Sequence, residues 1–246
     1  MKKLLATTLL TLSAFAGVQA DDIAVLGWGS LIWQPGELAM QSTWEADGPL
    51  LPIEFSRVSA DGRLTLVIDP KTQGQGRKPV NVGGNELRTL YVVSALETLD
   101  AAVQNLKARE GSRLDMIGYV NLRNNTFRMQ QIDAQSGEPR VINGSIRVVS
   151  ENANQVDIAP GSGIRKEYLP YLKNVVAWTL HKRFDATIWT GLTNNFQEKV
   201  GRPHTLENSL TYLNGLTGAP KQKAIEYIQK APVKNQTKIG PRIPNS

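Results

Sequence analysis

Three features of the sequence predict an α+β fold, a mixed sheet of five or six strands with helices between them and a C-terminal helical extension. Short apolar or alternating runs, among them "DIAVLGW", "LLPIEFSRVS" and "RLTLVID", read as strands. Longer runs such as "SALETLDAAVQNLKARE" and "YLPYLKNVVAWTLHK" repeat apolar residues at helical spacing. The 246-residue chain contains no cysteine, so stability must come from an apolar core, for which the length is ample.

The first twenty residues read as an export leader. "MKK" is a basic head, "LLATTLLTLSAFAGV" an apolar run too short to span a membrane, and "VQA" fits small-residue cleavage before Asp21. With no cysteine after the run there is no lipid-anchoring site, so the expected product is periplasmic or secreted, without a membrane anchor. Removing 20 of 246 residues leaves 226, and losing Lys2 and Lys3 lowers the formal charge from +6 to +4. The basic residues are dispersed, which argues against nucleic acid as a partner.

The mature chain opens with a buried strand that stops at "GWGS". Two further strands flank "ADGR", whose Asp61-Gly62 pair marks a hairpin. A Gly-rich polar loop precedes the strand "LRTLYVVSA". Ser94 and Glu97 have capping-box spacing, and Leu96, Leu99, Val103 and Leu106 predict a helix over 96–109 that Gly111 ends. "MIGYVNL" and "TFRMQQID" read as a strand pair closing a core over 23–132. The remainder, 133–230, reads as an extension. "VINGSIRVVSENANQVDIAPGSG" has no clear period, Leu169, Leu172, Val176 and Leu180 mark a helix, and "DATIWTGL" a strand. "TLENSLTYLNGL" and "PKQKAIEYIQKA" read as helices, the second opened by Pro220, and 231–246 as an extended tail.

Chemistry in this chain points to a carboxylate. His181 and His204 have no partner at metal-ligand spacing, and the nucleophile elbow G-x-S-x-G is absent. "LGWGSLIW" can be a tight strand-to-helix turn or a backbone cradle for an anion, its N–H groups forming a nest and its glycines admitting a ligand. A helix starting at Leu31 would add a positive partial charge there. Trp28 and Trp33 read equally as core filling, and Glu110 as a solvated acid, although helix C-termini favour cations.

"GWGSLIWQPG", "LPIEFSRVSADGRLTLV" and "LKAREG", in this order and spacing over residues 23–122, resemble the gamma-glutamylcyclotransferase-like superfamily, in its bacterial, exported branch. The resemblance implies a partly closed sheet or barrel, a substrate-binding turn at Trp28, Gly29, Ser30 and Leu31, and a catalytic glutamate at Glu110. Trp28 stands where the superfamily carries tyrosine. Glu37, Glu54 and Glu86 are rival acids, and Tyr119 is a further pocket residue. "IWTGLTNNF", residues 188–196, resembles strings in bacterial members and reads as completing the sheet or lidding the pocket.

The implied reaction is cyclisation of a small gamma-glutamyl compound such as glutathione, releasing 5-oxoproline and an amine. It needs no metal or cofactor. The alternative is a non-catalytic periplasmic binding protein for a gamma-glutamyl or carboxylate ligand. One consequence concerns the leader. Intact mass of protein recovered from the cell envelope should lack residues 1–20, and exported material retaining Met1 would contradict the leader reading.

Overall fold

The computed structural model describes residues 20–70, 87–148, 156–159 and 161–232. Residues 1–19 of the leader, most of the Gly-rich loop with Glu86, and most of the tail lie outside the described residues.

Strand β1 (Ile23–Gly27) is buried on both faces, as its unbroken apolar run requires. It pairs antiparallel with β6 (Leu90–Val93) and parallel with β11 (Ala186–Thr190). From β11 the sheet continues antiparallel through β7 (Ile117–Asn121), β8 (Thr126–Ile132), β9 (Pro139–Val148) and β10 (Val156–Ile158), giving the order β10-β9-β8-β7-β11-β1-β6. The fold is therefore α+β on a large mixed sheet. Two expectations need correction: among the described residues the sheet has seven strands, and it is open. Its β6 edge is taken by an irregular segment instead of a closing strand. Gln41 N–H donates to Val93 O at 2.8 Å, and Glu45 and Tyr91 exchange backbone bonds at 2.8 and 3.0 Å.

The hairpin β3 (Ile53–Val58) and β4 (Leu64–Ile68) turns at the expected Asp61-Gly62 but forms its own two-stranded sheet, as do β2 (Leu50–Leu51) and β5 (Leu87–Arg88). The hairpin packs on one face of the large sheet, where Phe55, Leu64 and Leu66 join Leu26, Trp189 and Val120. Helix α2 (Leu169–Lys182) covers the same face with Tyr171, Leu172, Val175 and Val176. Helix α1 (Leu99–Glu110) covers the other, laying Ala102, Val103 and Leu106 on Ile23, Val25 and Ile188.

Helix α1 begins later than the apolar spacing predicts. Ser94 N–H is committed to Ile23 O, so the cap falls to Thr98, whose hydroxyl accepts from Ala101 N–H at 3.3 Å. Gly111 ends it at φ +57, as expected. The part read as an extension is integral to the sheet, because β11 lies between β1 and β7. Opposite Trp189 stands Gly118, where a Cβ would lie 2.4 Å from the indole, so the glycine makes room for the ring. Three C-terminal helices follow: α3 (Phe196–Val200), α4 (Leu206–Gly215) and α5 (Gly218–Lys230). Pro220 sits in the first turn of α5 but not at its first position.

Candidate functional site

The topology brings three chain ends to one edge of the large sheet. β1 and β11 run parallel, so Gly27 and Thr190 finish on the same side. β6 runs back along β1, and α1 then returns the chain over 12 residues, about 18 Å of helix against about 17 Å of strand. Its last residue, Glu110, therefore arrives where β1 stops. A cavity of about 280 Å³ opens there, lined by the turn residues Trp28, Gly29, Ser30 and Leu31 together with Glu110. Arg57, Arg63, Arg109, Thr190, Leu192 and Tyr227 also line it.

Within the turn, Ile32 N–H donates to Gly29 O at 3.0 Å and Gln34 N–H to Ser30 O at 2.8 Å. This single turn is not continued, and no helix begins at Leu31, so the expected helix-dipole contribution is absent. Neither Gly27 nor Gly29 has positive φ. Close approach accounts for both. A Cβ on Gly27 would lie 2.6 Å from the Trp44 ring, and one on Gly29 only 2.3 Å from the Tyr227 hydroxyl. Trp28 is buried in the core, and its indole N–H donates to Leu66 O at 3.2 Å.

Glu110 is not a solvated helix-end acid. Its side chain is 16% exposed and paired with Arg109 at 2.5 Å; Arg109 also donates to Gln34 O. Burial pushes the Glu110 carboxyl above its ordinary value, and the Arg109 guanidinium pulls it partly back. Arg63 reaches the cavity from the hairpin turn, held by Asp61 at 2.9 Å, with its guanidinium 5.4 Å from the Tyr227 ring centre. Burial lowers the Arg57 pKa, and Arg57 donates to Thr193 O at 2.8 Å. Among the described residues, the lining thus holds three guanidinium groups and one carboxylate, an arrangement suited to an anionic ligand.

Two of the rival acids, Glu37 and Glu54, lie elsewhere. Glu37 is exposed, and Glu54 is buried in β3, accepting from Phe55 N–H, with no part in the cavity lining. Tyr119 is also outside the lining. It lies on β7 beneath the Arg128 guanidinium, packed against the cluster under α1. Its place in the strand after Glu110 did not carry it to the cavity, because the ring faces the α1 side of the sheet.

Residues 188–196 complete the sheet through β11 and then support the site. Thr190 and Leu192 line the cavity, and the Asn195 side chain clamps both Val58 N–H and Val58 O at 2.8 and 3.0 Å. Asn194 donates to Asp69 at 2.7 Å, and His204 Nε2 lies 2.9 Å from Phe55 O. Among the described residues, no group of three or more histidine, aspartate or glutamate side chains could hold a metal.

The sequence reading missed the arginines and Tyr227. "FSR" and "DGR" show alternation and a turn but not which end of the hairpin meets β1. Tyr227 follows Ala224 on the apolar face of α5, where an aromatic reads as packing. No protein-family model, curated protein or solved structure matches the chain.

The raised Glu110 pKa has a signed consequence for stability. A carboxyl with a raised folded pKa binds its proton more tightly folded than unfolded. Its cost is therefore absent below the ordinary value of 4.5 and grows as pH rises through the folded pKa. Glu110→Gln, which resembles the protonated acid, should be more stable than wild type at neutral pH, with the difference vanishing below pH 4.5. Urea melts across pH test this; the opposite sign would mean that the Arg109 ion pair outweighs burial.

Proposed function

We propose that this protein is a gamma-glutamylcyclotransferase-like enzyme that releases 5-oxoproline and an amine from a small gamma-glutamyl compound. The observation that carries the reading is the buried carboxyl of Glu110 in one cavity with the Trp28–Leu31 turn. In the proposed reaction the substrate's α-amine gives its proton to Glu110 and attacks the side-chain carbonyl carbon. The resulting oxyanion collapses, the bond to the leaving nitrogen breaks, and Glu110 returns the proton to that nitrogen. One acid/base group serves both steps, and burial moves its pKa toward the range that both require. The guanidinium-rich lining supports a substrate carrying carboxylates, such as glutathione or a gamma-glutamyl dipeptide. The leader read from the sequence leads us to assign this activity to the periplasm or the cell exterior.

A second reading, a non-catalytic binding protein, draws on the Arg109 guanidinium lying 2.5 Å from the Glu110 carboxylate, where it opposes proton uptake. The two readings separate in an assay of 5-oxoproline release from gamma-glutamyl dipeptides. Under the enzyme reading, Glu110→Gln lowers kcat by about 100- to 10,000-fold while the exposed-site control Glu37→Gln leaves it unchanged. N-acylated substrates, which have no free α-amine, yield no product. A Glu110→Gln protein retaining more than about a tenth of wild-type kcat would contradict the assignment. An inactive wild type whose melting temperature rises with a gamma-glutamyl ligand would favour the binding reading.

A further inference from the structure

One side chain in the cavity has a position that core packing alone does not require. Tyr227 lies on α5, far along the chain from the turn, and only 5% of its surface is exposed. Its ring packs edge-on to Trp33 at 5.3 Å and to Phe55 at 6.3 Å. Its hydroxyl is pushed into the turn itself, so close that Gly29 has no room for a Cβ. There the phenol oxygen accepts from Leu66 N–H at 3.4 Å. One backbone donor is thus directed at the phenol oxygen, and no acceptor for the hydroxyl proton is seen among the described residues.

We propose that Tyr227 is a catalytic residue of this site, its hydroxyl donating a hydrogen bond to the oxyanion formed when the substrate's α-amine attacks. This rests on the cyclotransferase reading. When the new C–N bond forms, the carbonyl π pair moves onto oxygen; when the leaving C–N bond breaks, that pair re-forms the carbonyl. Tyr227 keeps its proton throughout and transfers none. It relays the pull of the Leu66 amide, because a hydroxyl whose oxygen accepts a hydrogen bond is a stronger donor. Burial raises its pKa to about 12, so it stays protonated over the working range. The charged groups facing it are Arg63 from the hairpin, which lowers that pKa, and Glu110 from α1, which raises it.

The test is Tyr227→Phe in the full-length protein, assayed for 5-oxoproline release from a gamma-glutamyl dipeptide. Phenylalanine keeps the ring contacts and removes the donor. The expected result is a fall in kcat of about 100-fold or more, with KM changed by less than about threefold, since an oxyanion donor acts in the transition state. An active wild type with Tyr227→Phe within about threefold in kcat would overturn the role of Tyr227 and leave the cyclotransferase reading intact. No product from wild type would overturn both. Should Tyr227→Phe fail to fold, a more acidic fluorinated tyrosine at position 227 keeps the shape. It should move the high-pH fall in kcat to lower pH, whereas a packing role leaves that limb in place.

Discussion

Glu110 is buried at the end of a helix, where its charge is least welcome, and the surrounding structure is organised around that cost. Helix C-termini carry partial negative charge, and burial penalises a carboxylate further. Arg109 offsets part of this, while burial still pushes the carboxyl above its ordinary pKa. A carboxyl with such a residual penalty is ready to hold a proton, as an acid/base group must. The match of α1 to the length of β1 and β6 puts the group at the edge where β1 and β11 end.

The glycines of the first turn look in sequence like a ligand cradle. In the structure they first accommodate protein: Trp44 over Gly27 and the Tyr227 hydroxyl against Gly29. The two roles are compatible. With Tyr227 seated, its hydroxyl lies against the turn, and the cavity is lined by residues far apart in the chain. This joins α5 to the site and makes the C-terminal helices more than an appendage.

Much of this was legible in local sequence pattern. The unbroken run of β1, the Asp-Gly hairpin and the Gly111 stop all reflect short-range constraints and appear where expected. Strand β9 did not show because Gly144 interrupts the alternation of Ile142 and Ile146, leaving space that the Phe127 ring fills. Sheet order was not legible either, since the parallel pairing of Ile23 with Ala186 joins segments far apart in the chain. The turn and Glu110 could be read as a pair from motif order. Arg57, Arg63 and Tyr227 could not, because their place depends on how the hairpin and α5 pack. Tyr119 shows the converse: nearness in sequence to Glu110 did not bring it to the cavity.

The proposed reaction requires that Glu110 and the turn face the same substrate. A crystal structure of Glu110→Gln with an intact gamma-glutamyl dipeptide bound tests it most directly. The expected result is the α-amine at about hydrogen-bonding distance from the side chain at position 110, and the side-chain carbonyl oxygen directed at the Tyr227 hydroxyl. A dipeptide seated outside this cavity, or inside it with the α-amine turned away from position 110, would contradict it.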